Sequence, residues 1–212
     1  MKFRSIAVEG PIGVGKTSFV DRLARKFDAF KVLEDIENPF LKLFYEDKQG
    51  AAFQAQLFFL LSRYRQLQDL SQRDLFHQVT VLDYIFPKDK IFAYLNLDDS
   101  ELLIYDKLYA LLDEQVPKPD LVIFLQAETK TLIERIRGRN RDYEREISEA
   151  YINEVNKAYN YFFFHYNQTP LLVIDTTAID FVRHEHHLDE LVEQIRKMDH
   201  GVQYYRPLGS SA

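Results

Sequence analysis

The chain contains no cysteine and no tryptophan. Without cysteine there can be neither a disulfide nor a thiolate metal site, and a reducing compartment is permitted. Long apolar runs are also missing. The longest, such as Leu57-Phe58-Phe59-Leu60-Leu61, hold five residues, far short of the ~20 that a membrane-spanning helix needs. Positive charge is not in excess: 27 basic against 33 acidic side chains leave a net −6, a poor electrostatic footprint for nucleic acid. Glycine and proline are sparse, at seven each, and no stretch rich in them reads as a linker. What remains is an ordinary globular composition, 46% hydrophobic and 28% charged over 212 residues. That length suits one α/β domain whose core needs no staple. Met1-Lys2-Phe3-Arg4-Ser5 runs straight into an apolar segment rather than a signal peptide, so the expected setting is the cytoplasm.

Apolar runs and helical periodicities alternate along the chain. Strands are expected at Phe3–Val8, Phe30–Leu33, Val79–Leu82, Leu121–Leu125 and Leu171–Ile174. Helices are expected at Lys16–Phe27, Phe40–Asp47, Ala51–Leu70, from Asp98 to about Gln115, at Thr129–Arg137, Ser148–Tyr166 and His186–Met198. Asp98 with Glu101 reads as a capping box. This alternation predicts an α/β fold with a five-stranded parallel sheet and helices on both faces. Residues 1–199 are expected to form one domain, and residues 200–212 a loose tail.

Gly10-Pro11-Ile12-Gly13-Val14-Gly15-Lys16-Thr17 matches the phosphate-binding P-loop at every position, between a strand and a helix as that motif requires. Gly10, Gly13 and Gly15 let backbone amides turn toward phosphate oxygens, and the helix N-terminus that follows, with Thr17 and Ser18, adds partial positive charge. Lys16 is expected to reach the β- and γ-phosphates and Thr17 to ligate Mg²⁺. A P-loop specifies nucleotide but not reaction. A GTPase-like switch would carry a guanine-reading Asn-Lys-x-Asp, but Asn156-Lys157-Ala158-Tyr159 lacks the acid. A zinc-protease reading of His184-Glu185-His186-His187 fails because Leu188 stands where the second ligand belongs.

Acceptor chemistry is expected beyond the carboxyl ends of the strands, where open parallel sheets bind ligands. Glu34 and Asp35 follow the second strand and Asp83 the third; a carboxylate there can take a proton from a hydroxyl or hold Mg²⁺. On the Ala51–Leu70 helix, Gln56 and Arg63 are seven residues apart and share the direction of the apolar stripe Phe53, Leu57, Leu60, Leu61, Tyr64 and Leu67. Burying an amide and a guanidinium requires partners. Those partners are either the edge of a bound base or a carboxylate of the protein such as Asp89. Arg135, Arg137, Arg139, Arg141 and Arg145 crowd one stretch with Gly138, a density suited to facing phosphoryl oxygens.

Taken together, these residues resemble the deoxynucleoside kinase family from about Phe3 to Ile174. The resemblance implies a P-loop kinase with an Arg-rich lid at about 135–147, acting as a homodimer with ATP or another NTP as donor and Mg²⁺ as cofactor. It implies Glu34 as catalytic base, with Lys16, Arg135, Arg139 and Arg141 stabilising transferred charge and Asp83 joining Thr17 at the metal. Tyr45, in Phe44-Tyr45-Glu46, and Glu144 would hold the sugar 3′-hydroxyl. Gln56, Arg63 and Asp89 would read the base and Phe92 would stack on it, favouring deoxyadenosine, deoxyguanosine or deoxycytidine. The chain departs from the family pattern after the third strand: Asp83-Tyr84-Ile85 lacks the usual arginine, for which Lys88 or Lys90 could substitute. A monophosphate kinase with the same loop and a nucleotide-binding switch remain the alternative readings.

Overall fold

A computed structural model describes residues 2–35, 37–46, 48–73, 78–139 and 147–207, with only the backbone of 45, 71–73 and 139. Arg141 and Glu144 lie outside the described residues, as does the side chain of Arg139. The chain forms two compact units. Unit 1 comprises Met1–Leu33, His77–Tyr84 and Pro119–Ala212; unit 2 comprises Glu34–Phe76 and Ile85–Lys118.

Unit 1 is an all-parallel sheet with strands β1 (Ser5–Glu9), β2 (Phe30–Val32), β3 (Thr80–Leu82), β4 (Leu121–Gln126), β5 (Leu171–Asp175) and β6 (Val202–Tyr205), in spatial order β2-β3-β1-β4-β5-β6. The period-2 alternation of side chains divides the apolar strands between two faces. Ile6, Val8, Val81, Leu121, Ile123, Leu125, Leu172 and Ile174 join one core with Phe19, Val20 and Leu23 of helix α1 (Lys16–Phe27). Leu188, Leu191 and Ile195 of α8 (Glu185–Lys197) complete it. Phe124 points the other way, stacking on Phe163 at 4.2 Å and lying 6.4 Å from Tyr159, both on α7 (Glu149–Phe164). Each such fully buried side chain contributes about 1.5–3 kcal/mol, and β4, buried from Leu121 to Leu125, is the spine of the sheet. α6 (Thr129–Arg139) is a further helix of this unit.

The sheet has six strands where five were expected. The sixth, β6, occupies part of the stretch expected to be a loose tail. It pairs with β5 from Leu171↔Val202 to Ile174↔Tyr205. Its side chains are mostly exposed, so backbone pairing holds this edge strand and no apolar alternation announces it.

Unit 2 is helical: α2 (Leu41–Tyr45), α3 (Ala51–Arg73), α4 (Lys88–Asn96) and α5 (Asp99–Asp113). The expected capping box holds, since Asp98 Oδ1 accepts from Ser100 N and Glu101 N at 2.9 Å and Glu101 Oε2 accepts from Asp98 N at 3.2 Å. On α3, Gln56, Leu60, Arg63 and Leu67 are all buried at the i, i+4, i+7, i+11 spacing of one helix face. Leu61, expected in this stripe, is exposed. α4 was not anticipated. Its buried face includes Lys88 and Asp89, which interrupt the apolar pattern from which a helix is read.

Candidate active site

The phosphate loop of unit 1 is built as the motif requires. Gly13 has φ +88°, and a Cβ there would lie 2.7 Å from the Leu132 carbonyl oxygen and 2.8 Å from Ile136. At Gly10 a Cβ would lie 2.3 Å from the Leu125 carbonyl oxygen, so the loop's close approach to β4 also demands glycine. Gly15, at φ 101°, caps α1 at its N-terminus, and Ser18 lies in that first turn. Phe181 packs edge-on against Phe19 at 5.2 Å and lies 3.1 Å from where a Gly15 Cβ would be. The loop is therefore braced from outside. The Lys16 ammonium folds onto the Gly10 carbonyl oxygen and lies 6.0 Å from the centre of the Tyr159 ring.

Thr17 and Asp83, 66 residues apart, come together: Thr17 Oγ1 donates to Asp83 Oδ2 at 3.4 Å, and Asp83 is buried. A hydroxyl and a carboxylate are hard oxygen donors, and a pair of them suits Mg²⁺, which takes few protein ligands and completes its shell with water and phosphate. No cluster of three or more His, Cys, Asp and Glu side chains able to hold a metal exists among the described residues. Arg135 has its guanidinium turned to the protein. It donates to the Val14 carbonyl at 3.3 Å, to Thr176 Oγ1 at 3.1 Å and to the carbonyls of Thr176 and Ile179 at 2.7 and 3.0 Å. These bonds tie the phosphate loop to the segment after β5, a bracing function that the spacing of the arginines did not reveal. Asn156, from the Asn-Lys pair weighed as guanine-reading, is buried on α7 and donates to the Ala127 carbonyl at 3.2 Å and Thr129 Oγ1 at 3.1 Å. A groove lined by Lys2, Phe3, Phe27, Ile195 and Arg196 lies at the other end of the strands from the loop and carries none of these groups.

Unit 2 brings the acceptor candidates together in one buried charge cluster. The Glu34 side chain is 13% exposed. Its Oε1 accepts from Arg63 Nε at 2.8 Å and Nη2 at 2.6 Å, and its Oε2 accepts from Lys88 Nζ at 2.5 Å. The remaining Arg63 nitrogen pairs with Asp89, which is fully buried. The Tyr105 hydroxyl donates to Asp89 Oδ2 at 2.8 Å, and Gln56 Nε2 donates to the Asp89 carbonyl at 2.9 Å. Arg63 also covers the Phe59 ring at 4.9 Å. Two cations against two carboxylates balance the cluster, the condition under which buried charge is tolerable. Burial by itself pushes the Glu34 carboxyl up, but the charges of Lys88 and then Arg63, with their hydrogen bonds, outweigh it and hold the group at about 2. Burial pushes the Tyr105 phenol up, so it stays a neutral donor.

The two neighbouring carboxylates left open on sequence are now distinguished. Asp35 is exposed and caps its own turn, accepting from Glu37 N at 3.1 Å, whereas Glu34 carries the cluster. Arg63 and Gln56 both find partners within the protein. Lys88 reaches Glu34, while Lys90 lies over Tyr109 at 4.5 Å and near Asp106 at 3.9 Å. Phe92 sits on α4, one turn beyond Asp89 and half-buried. Tyr45 lies on α2, its side chain outside the described residues. Tyr105 was missed on sequence: it is 16 residues from Asp89, and only its place with Tyr109 on the buried side of α5 hints at it.

A strand, a P-loop and a capped helix on a parallel sheet define a nucleoside-triphosphate-binding protein. Unit 2 carries a buried cluster of two carboxylates and two cations. Comparison with known proteins narrows the class. The family profile of deoxynucleoside kinases matches residues 6–199. Deoxyguanosine kinase of Bacillus subtilis is 33% identical over 200 residues, covering 91% of this chain and 96% of its own. Deoxyadenosine/deoxycytidine kinase of the same organism is 29% identical, covering 93% and 94%. The structure of deoxyadenosine kinase from M. mycoides with bound dATP superposes with a TM-score of 0.77 at 25% identity, covering 91% of this chain and 99% of that one. The chain belongs to the deoxynucleoside kinase family.

Proposed function

We infer that the chain transfers the γ-phosphoryl group of ATP or another nucleoside triphosphate to the 5′-hydroxyl of a deoxynucleoside, in nucleotide salvage. Family membership supports this reading over the monophosphate-kinase and switch alternatives. The observation in the molecule that carries it is the buried Glu34 carboxylate, held by Arg63 and Lys88. Deoxyadenosine, deoxyguanosine and deoxycytidine are the proposed acceptors. These are the nucleosides named for the Bacillus subtilis relatives.

In the proposed reaction the 5′-oxygen bonds to the γ-phosphorus as the bond to the bridging oxygen breaks, and a nucleoside diphosphate leaves. A carboxyl held at about 2 is too weak a base to strip a hydroxyl in advance. Glu34 therefore accepts a hydrogen bond from the hydroxyl and takes its proton late, as the new bond forms, which suits a loose transition state. The proton then passes to water. Lys16 offsets charge on the transferring group, and Arg139 and Arg141 are proposed to assist it, while Arg135, its guanidinium bonded to Val14, Thr176 and Ile179, is proposed to act through the loop it braces. Thr17 and Asp83 would hold Mg²⁺, which neutralises phosphate charge when bound. Tyr45 and Glu144 are proposed to hold the 3′-hydroxyl, which orients the attack. Phe92 is proposed to stack on a base met by Gln56, Arg63 and Asp89.

A cytoplasmic homodimer is the proposed form of the enzyme. α5 exposes Leu103, Ile104, Leu108 and Leu111, an apolar stripe that a second copy would cover. No helix among the described residues is long and apolar enough to cross a membrane. The deciding experiment is ATP consumption with the four deoxynucleosides, their ribose counterparts and the monophosphates as acceptors. Turnover with deoxynucleosides is expected; turnover with monophosphates alone would overturn the reading.

A further inference from the structure

The first residue of α4 is a buried lysine. Lys88 is 5% exposed. A lysine is rarely buried to this extent, because removing its ammonium from water costs several kcal/mol unless a close anion compensates. Here the anion is Glu34, whose Oε2 lies 2.5 Å from Nζ. Arg63, from α3, occupies the other carboxylate oxygen, so the two cations grip the carboxylate from its two ends. A carboxylate held at one oxygen can still swing about its terminal bond; one held at both cannot. Lys88 itself is fixed by the start of α4, where its amide donates to the Ile85 carbonyl at 3.3 Å. Of the other charged groups in that turn, Asp89 faces Arg63 and Tyr105, and Lys90 lies near Tyr109 and Asp106.

We propose that Lys88 is a positioning residue for phosphoryl transfer: its ammonium holds the Oε2 side of Glu34 so that the carboxylate keeps the orientation in which it accepts the 5′-hydroxyl. This deepens the proposed kinase reading and rests on it. The same contact keeps Glu34 ionised, since the charge of Lys88 is the largest influence opposing the burial of that carboxyl. Removing the ammonium leaves Glu34 and Asp89 with Arg63 as the remaining cation of the cluster. Both orientation and ionisation of Glu34 then suffer, although Lys88 need not touch the substrate.

Two measurements on Lys88→Met, Lys88→Arg and wild type test this. Carboxyl carbon NMR of Glu34 across acid pH reads the contact whether or not the chain is a deoxynucleoside kinase. Lys88→Met is expected to raise the titration midpoint of Glu34 by about 1–3 units, and Lys88→Arg to leave it near the wild-type value. Turnover with a deoxynucleoside acceptor reads the function. Lys88→Met is expected to lower kcat by about 10²-fold with little change in the KM for nucleoside triphosphate, and Lys88→Arg to restore part of the loss. In a double-mutant cycle with Glu34→Gln, the two losses should fail to add, since one residue acts through the other. Lys90→Met, on the same helix, should retain wild-type kcat. An unshifted Glu34 titration in folded Lys88→Met, or losses that add in full, would overturn the proposal. Absence of deoxynucleoside turnover in the wild type would instead sink the kinase reading while leaving the NMR result standing.

Discussion

The P-loop of unit 1 and the charge cluster of unit 2 are built by different means. The loop is contiguous, eight residues from Gly10 to Thr17, and is shaped largely by backbone: Gly10 and Gly13 are required because a Cβ would strike Leu125 or Leu132. The cluster gathers Glu34, Gln56, Arg63, Lys88, Asp89 and Tyr105 from separate segments and acts through side-chain charge. A backbone device is tuned by shape and is insensitive to pH, whereas a balanced cluster of ions depends on every member remaining charged.

The comparison can be broken most sharply on the side of the loop. Lys16→Met removes its one mobile charge and is expected to lower kcat by about 10³-fold, with the fold intact by circular dichroism and stability unchanged within about 0.5 kcal/mol. On the side of the cluster, pH should act on stability. The Glu34 carboxyl falls from its ordinary 4.5 to about 2, which corresponds to about 3 kcal/mol of folding free energy. Because the folded value is the lower one, the unfolded chain binds more protons in that interval. The contribution is complete above pH 4.5 and is lost as pH falls toward 2. Urea unfolding between pH 6 and 3 should show this decline, and Glu34→Gln should lack it.

Glu34→Gln is also expected to lower kcat by about 10²-fold while deoxynucleoside binding is largely retained; single-turnover kinetics and calorimetry separate the two. Normal turnover would return Glu34 to a structural role. The smallest expected effect is that of Tyr105→Phe, which removes the hydrogen bond to Asp89 and should cost about 1 kcal/mol in thermal or urea unfolding. If Tyr105→Phe costs nothing, the phenol is not part of the cluster's balance. Outside this comparison, Ile104→Glu on α5 is expected to yield a monomer by light scattering, whereas a monomeric wild type would remove the homodimer from the reading.

The same contrast explains how much could be read before the structure. The loop, its flanking strand and helix, the capping box at Asp98 and five of the six strands were legible, because each is written in adjacent residues or in one periodicity. Glu34 was legible as a carboxylate after β2, but equally so was Asp35, which turned out exposed. β6 was hidden because an edge strand held by backbone pairing carries little apolar alternation. α4 was hidden because Lys88 and Asp89 sit on its buried face.

By itself, then, the order of residues determined the parallel α/β architecture and the phosphate cradle, since both follow from local geometry: where a Cβ fits, which face is apolar, which amides point outward. Only the tertiary structure decided which carboxylate is held, that Arg63 bridges Glu34 and Asp89, that Lys88 rather than Lys90 reaches Glu34, and that Arg135 braces the phosphate loop. The physical reason is that a charge finds its partner through space. The energy of a buried ion pair depends on separation and desolvation, and neither quantity is written in the distance along the chain.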